Sequence, residues 1–128
     1  MTAFNLDEQK SQTNENTTAY HMPVNFMEIL KNNTKIGVVN LRSFGKSVLT
    51  FGSSPLNDIV IPSSAVSQRQ GLVLVAGNDI EIRDNPDSGC DLYFDGKAFL
   101  TKIVLPNTVI SIKPCGKAAE EILLAFNE

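Results

Sequence analysis

From Val24 onward, turn-forming residues cut the chain at close intervals, and that spacing limits the possible folds more than any other feature. Asn32-Asn33-Thr34, Phe44-Gly45-Lys46, Gly77-Asn78-Asp79, Asp95-Gly96 and Pro106-Asn107 each separate short apolar runs. Glycine and asparagine accept the positive φ that tight turns need, and proline fixes its own φ, so these groups stop a strand and reverse it. Runs this short, broken this often, predict an all-β sandwich or barrel. The strands fall at Val24–Leu30, Lys35–Leu41, Ser47–Gly52, Ile59–Ile61, Gly71–Ala76, Ile80–Arg83, Leu92–Phe94, Lys97–Leu100 and Thr108–Lys113. Ile80-Glu81-Ile82-Arg83 alternates cleanly, isoleucines to one face and charges to the other. Leu72-Val73-Leu74-Val75 is apolar on both faces, which predicts a strand buried on two sides. The segment Lys117–Phe126 is rich in helix formers. A strand over Glu121–Asn127 fits it equally well, with Ile122, Leu124 and Phe126 on one face.

The stretch before Val24 is different in kind. It is rich in Gln, Asn, Thr and Glu and has no sustained apolar period, so residues 1–22 read as a flexible polar tail and 23–128 as one domain. A hydrophobic share of 42% against 20% charged residues supports a core of ordinary size. The net charge of −3 argues against a nucleic-acid or anionic-membrane binder. No apolar run reaches the roughly 18 residues of a membrane span, and the polar N-terminus has no signal-peptide core. Two cysteines, Cys90 and Cys115, are too few for a disulfide scaffold, so reduced thiols in a cytoplasmic protein are expected. The single histidine is His21, in the tail. That composition predicts no catalytic set, no metal site and no cofactor, and the lack of tryptophan disfavours a sugar binder.

Three polar loops interrupt the strands in a set order. Gly52-Ser53-Ser54-Pro55-Leu56-Asn57-Asp58 leaves one strand. Ser63, Ser64 and Ser67 make a second loop rich in hydroxyls, and Asp84 through Ser88-Gly89-Cys90 makes a third. Hydroxyls and free amides in such loops can hold a phosphate, although each loop taken alone reads more readily as an ordinary connection. Gly89 and Gly96 supply turn conformations.

In order and spacing, Gly52-Ser53, Asn57-Asp58-Ile59-Val60-Ile61, Ser67-Gln68-Arg69-Gln70, Asp87-Ser88-Gly89, Asp95-Gly96 and Pro106–Ile112 resemble a forkhead-associated (FHA) domain. The resemblance covers about Val24 to Asn127. It implies a β-sandwich of about eleven strands that binds phosphothreonine peptides through loops at one end, with Glu121–Asn127 as the closing strand. It also implies that Ser53, Ser67, Gln68, Arg69, Asp87 and Ser88 lie at the phosphopeptide-binding positions, while Gly52, Asn57, Gln70, Gly89 and Gly96 are structural.

The departures from the family pattern fall on those same positions. Ser53 stands where the family has its phosphate-pairing arginine, Gln70 where it has a buttressing histidine, and Asp87-Ser88 where it has Thr-Asn. The expected function is therefore a protein-interaction module, a scaffold in signalling or assembly, with phosphothreonine binding weakened or lost. The alternative is a working phosphopeptide reader that uses Ser67, Gln68, Ser88 and a substitute cation, for which Arg69, Lys46 and Lys97 are the candidates. Thr17 and Thr18 in the tail could be phosphorylated and fold back onto the site, but an inert linker fits them better.

Overall fold

The computed structural model describes residues 22–113 and 120–128. The tail residues Thr17, Thr18 and His21 lie outside the described residues, and so does Cys115. Eleven strands are present: β1 Phe26–Lys31, β2 Thr34–Asn40, β3 Val48–Gly52, β4 Ile59–Val60, β5 Gly71–Ala76, β6 Asp79–Asp84, β7 Leu92–Phe94, β8 Lys97–Phe99, β9 Thr101–Val104, β10 Thr108–Ile112 and β11 Ile122–Asn127. They form a six-stranded sheet, ordered β2-β1-β11-β10-β7-β8, and a five-stranded sheet, ordered β4-β3-β5-β6-β9. This is the all-β sandwich that the turn spacing predicts.

Alternation explains the packing. Met27 and Ile29 of β1, Leu49 and Phe51 of β3, Ile80 and Ile82 of β6, Ile110 and Ile112 of β10 and Ile122, Leu124 and Phe126 of β11 all point into the space between the sheets. β11 lies between β1 and β10, pairing with both along its length. Burial of its alternate side chains and two full ladders of hydrogen bonds override the helix propensity of the segment.

The sequence reading missed β9. Residues 97–104 run without a glycine or proline, so they look like one strand and its trailing loop. Instead the chain crosses at the exposed Leu100 from the six-stranded sheet to the five-stranded one. The crossing is pinned by the Asp84 amide, which donates to the Leu100 carbonyl over 2.8 Å. Two further expectations need correction. Cys90 is disulfide-bonded, so it is not the reduced thiol expected. And β5 is buried on one face only: Val73 is fully buried, while Leu72 and Leu74 stay partly exposed because nothing among the described residues covers the outer face of that sheet.

The two ends of the sandwich are built differently. At one end lie the connections β3–β4, β4–β5 and β6–β7. At the other, the Arg42 guanidinium donates to the carbonyls of Val24 and Gly77 and to the side-chain oxygen of Asn25, joining the start of the domain to the β5–β6 turn.

Candidate functional site

The loop end is assembled around Gly52. A Cβ at this position would overlap the Gln68 carbonyl and stand 2.8 Å from the Ser67 carbonyl oxygen, so only glycine lets the β3–β4 and β4–β5 loops approach this closely. The approach is then locked. The Ser53 amide donates to the Ser67 carbonyl (2.9 Å), the Ser54 amide to the Gln68 carbonyl (3.3 Å), and Asn57 Nδ2 to the same Gln68 carbonyl (2.7 Å) and to that of Ser54 (3.0 Å).

Gln70 ties in the third loop. It is fully buried, and every polar atom of its side chain is engaged. Its Oε1 accepts from the Ser67 amide (3.2 Å), while Nε2 donates to Asp84 Oδ1 (3.0 Å), Ser88 Oγ (3.3 Å) and the Cys90 carbonyl (2.9 Å). A buried amide is tolerated only when it is satisfied in this way. Burial pushes the Asp84 carboxyl above its ordinary range, and the Gln70 hydrogen bond works against that rise. On the other flank, the Ser63 hydroxyl donates to the Glu120 carboxylate, which Lys31 also pairs at 3.1 Å. Ser63 is thereby committed to holding its loop against the segment before β11.

The residues singled out from sequence divide into three groups. Ser53 and Ser67 are partly exposed and Gln68 is exposed, each with a side chain that makes no hydrogen bond among the described residues. Ser88 is partly exposed but committed: its Oγ donates to the Cys90 carbonyl and accepts from the Cys90 amide (3.1 Å). Asp87 is exposed on the third loop, its amide donating to Asn85 Oδ1. Gly89 and Gly96 sit in turns at φ of 78° and 79°.

The three candidate cations separate just as clearly. Lys46 is bridged to Asp58 at 2.7 Å. With the Thr50 amide, that bridge holds the Asp58 carboxyl below its usual range. Lys97 stands at the β7–β8 turn, away from the loops, beside the Phe94 ring that Lys102 covers at 3.9 Å. Arg69 is exposed and makes no ion pair among the described residues, but it lines a lateral groove with Leu56, Leu72 and Pro86. Ser53, Ser67, Gln68 and Ser88 do not line that groove. Sequence reasoning named Arg69 and missed the groove, whose only local signal is a leucine in a polar turn. No group of three or more His, Cys, Asp or Glu side chains placed to hold a metal ion occurs among the described residues.

A two-sheet sandwich whose three loops are cross-tied at one end has counterparts among solved structures. No protein-family model matches the sequence, and no curated protein matches it. The fold is similar to that of an FHA domain from Arabidopsis thaliana (TM-score 0.65, 14% identity, 83% of this chain and 86% of that one). It is also similar to the FHA domain of a Chlamydia trachomatis protein (TM-score 0.62, 19% identity, 80% and 95%). The N-terminal FHA domain of Saccharomyces cerevisiae Rad53p, solved with a phosphothreonine peptide, matches at TM-score 0.60 with 15% identity over 80% and 92%. The chain has an FHA-like fold.

Proposed function

We propose that this chain is a protein-interaction module, a binding domain and not an enzyme, whose phosphothreonine grip is weakened or lost. The observation that carries the reading is the charge at the loop end. Ser53, Ser67, Gln68 and Ser88 surround the place where a phosphate is held in the resemblance, and none of the three candidate cations is committed there. The exposed carboxylate nearby, Asp87, has the wrong sign. A phosphothreonine carries about −1.5 to −2 charges at pH 7. Hydrogen bonds to charged groups contribute roughly 1.5–3 kcal/mol each, so an arginine replaced by serine costs about tenfold to a hundredfold in affinity. That the yeast FHA domain was solved with a phosphothreonine peptide supports reading this fold as one that can take such a peptide.

The alternative, a working reader that uses Ser67, Gln68, Ser88 and Arg69, has one observation in its favour: Arg69 follows Gln68 directly and carries no ion pair among the described residues. Titration with a degenerate phosphothreonine peptide library, beside its unphosphorylated counterpart, separates the two. The parent chain is expected to show no phosphate-dependent binding, and Ser53→Arg to gain it. Phosphate-dependent binding by the parent that disappears in Ser67→Ala refutes the weakened-grip reading.

A further inference from the structure

The outer face of the five-stranded sheet holds an open groove of about 520 Å³ beside the loop end. Its size falls among the roughly 300–1,000 Å³ pockets that take ligands. Gly71, Leu72 and Thr50 belong to the strands beneath it, Leu56 and Asn57 to the β3–β4 loop, and Asn85 and Pro86 to the β6–β7 loop.

Most polar groups around the groove are already spent on the fold. The Thr50 hydroxyl bonds to the Asp58 carboxylate and amide, and Asn57 Nδ2 is divided between two carbonyls. Asn85 donates to the Arg69 carbonyl and accepts from the Asp87 amide. Asp84 is capped by Gln70 and by the Asn85 and Leu92 amides.

What remains to offer a ligand, beside the hydrogen-bonded Asp84 carboxylate, is an apolar surface and one uncommitted positive charge. Leu56 is 88% exposed, more than any other large hydrophobic residue described. It stands across from Pro86, with Leu72 between them on the sheet. Arg69 is the uncommitted cation, on a chain whose net charge is negative. The groove also adjoins the loop end directly, because the Ser54 and Asn57 groups on its wall bond to the Gln68 carbonyl next to Arg69.

We infer that this groove is a docking site for an extended segment of a partner protein in which an aliphatic side chain is flanked by a carboxylate. The aliphatic group packs between Leu56, Leu72 and Pro86, and the carboxylate pairs with Arg69. Charge complementarity selects this occupant: an apolar segment without an acid leaves Arg69 unpaired at the rim, and a basic one meets it as a like charge. No phosphate is required, so the site gives an interaction module a specific contact where the phosphate grip is weak. The inference rests on the interaction-module reading and deepens it.

The test uses the full chain against a display library of random unphosphorylated peptides. Enrichment of peptides with an aliphatic residue next to Asp or Glu is expected. Selected peptides should bind Leu56→Ser about tenfold more weakly, the affinity of one buried leucine contact. Arg69→Glu should weaken them at least as much, and should shift a repeated selection toward basic flanks. Ser67→Ala should bind them unchanged. The side chains of Leu56 and Arg69 are exposed and make no hydrogen bond or ion pair among the described residues, and the backbone bonds at both positions survive substitution, so these variants keep the fold. No enrichment overturns the docking site. Enrichment indifferent to both groove substitutions also overturns it, while leaving the interaction-module reading in place. In the separate phosphothreonine titration, phosphate-dependent binding lost in Ser67→Ala removes the weakened-grip reading instead, so the two failures are distinguishable.

Discussion

Gln70 and Arg69 are neighbours in one loop, and they belong to two regions with opposite physical states. On the inner side of the loop end, Gln70 is fully buried and spends its whole side-chain hydrogen-bonding capacity on tying the β4–β5 loop to the β6–β7 loop. On the outer side, Arg69 and Leu56 are exposed, and neither side chain carries a bond that the fold depends on. The difference teaches that the loops are held from within and presented without. Side chains on the outer side can change at small cost to stability, whereas the inner side fixes where they stand.

The largest expected effect tests the inner side. Gln70→Leu removes one acceptor and two donors, stranding the Ser67 amide and taking one buried bond each from the Asp84 carboxylate, which keeps the Asn85 and Leu92 amides, and the Cys90 carbonyl, which keeps the Ser88 hydroxyl. A loss of about 2–4 kcal/mol in unfolding free energy is expected, since a stranded buried amide costs about 1–3 kcal/mol and each further lost hydrogen bond about 0.5–1.5 kcal/mol. Chemical denaturation measures it, and a loss below about 1 kcal/mol would mean that the loops are held by other bonds.

A smaller effect concerns Asp84 and sharpens the same contrast. Burial raises its folded pKa above the ordinary 3.8, so the folded state holds this proton more tightly than the unfolded chain does. The contribution of Asp84 to stability is therefore best in acid. It falls as pH rises from about 3.8 through the raised folded value and is constant above it. Asp84→Asn, which keeps an acceptor for Gln70, should flatten the stability profile in that window. An unchanged slope would show that the carboxyl is not penalised by its position.

The smallest effect belongs to the outer side. Arg69→Ala and Leu56→Ser should change unfolding free energy by no more than about 0.5 kcal/mol, as surface substitutions usually do. A loss as large as that of Gln70→Leu would erase the division between the two sides of the loops.

Much of this division was hidden in the sequence, for reasons that particular residues make plain. Alternation such as Ile80–Arg83 reports burial directly, so the strands and their inner faces could be read. The crossing at Leu100 left no mark, because a chain can pass between sheets without glycine or proline when a single backbone bond pins it. The closing strand β11 was contradicted by its own local propensity and needed the resemblance, since its stability comes from two neighbours far away in sequence. At the site, the substitutions at positions 53 and 70 were visible, but their consequences depended on three-dimensional partners. Nothing local says that Gln70 reaches Asp84 and Cys90, that Asp58 occupies Lys46, or that Lys97 stands away from the loops. Leu72 was assigned to a covered face because apolar residues on both sides of a strand usually mean burial. Here one side is open, and it underlies the groove.

The Arg42 anchor carries a consequence for how load passes through the molecule. Val24 and Asn127, where the described domain begins and nearly ends, lie together at the pole opposite the loops, with Phe26 paired to Asn127 and the Val24 carbonyl held by Arg42. A force applied between the loop end and either Val24 or Asn127 therefore runs along β1 and β11. Their paired residues are pulled in shear, all at once, and not unzipped one by one. That direction loads the six-pair β1–β11 ladder along its strands, where all its hydrogen bonds share the force.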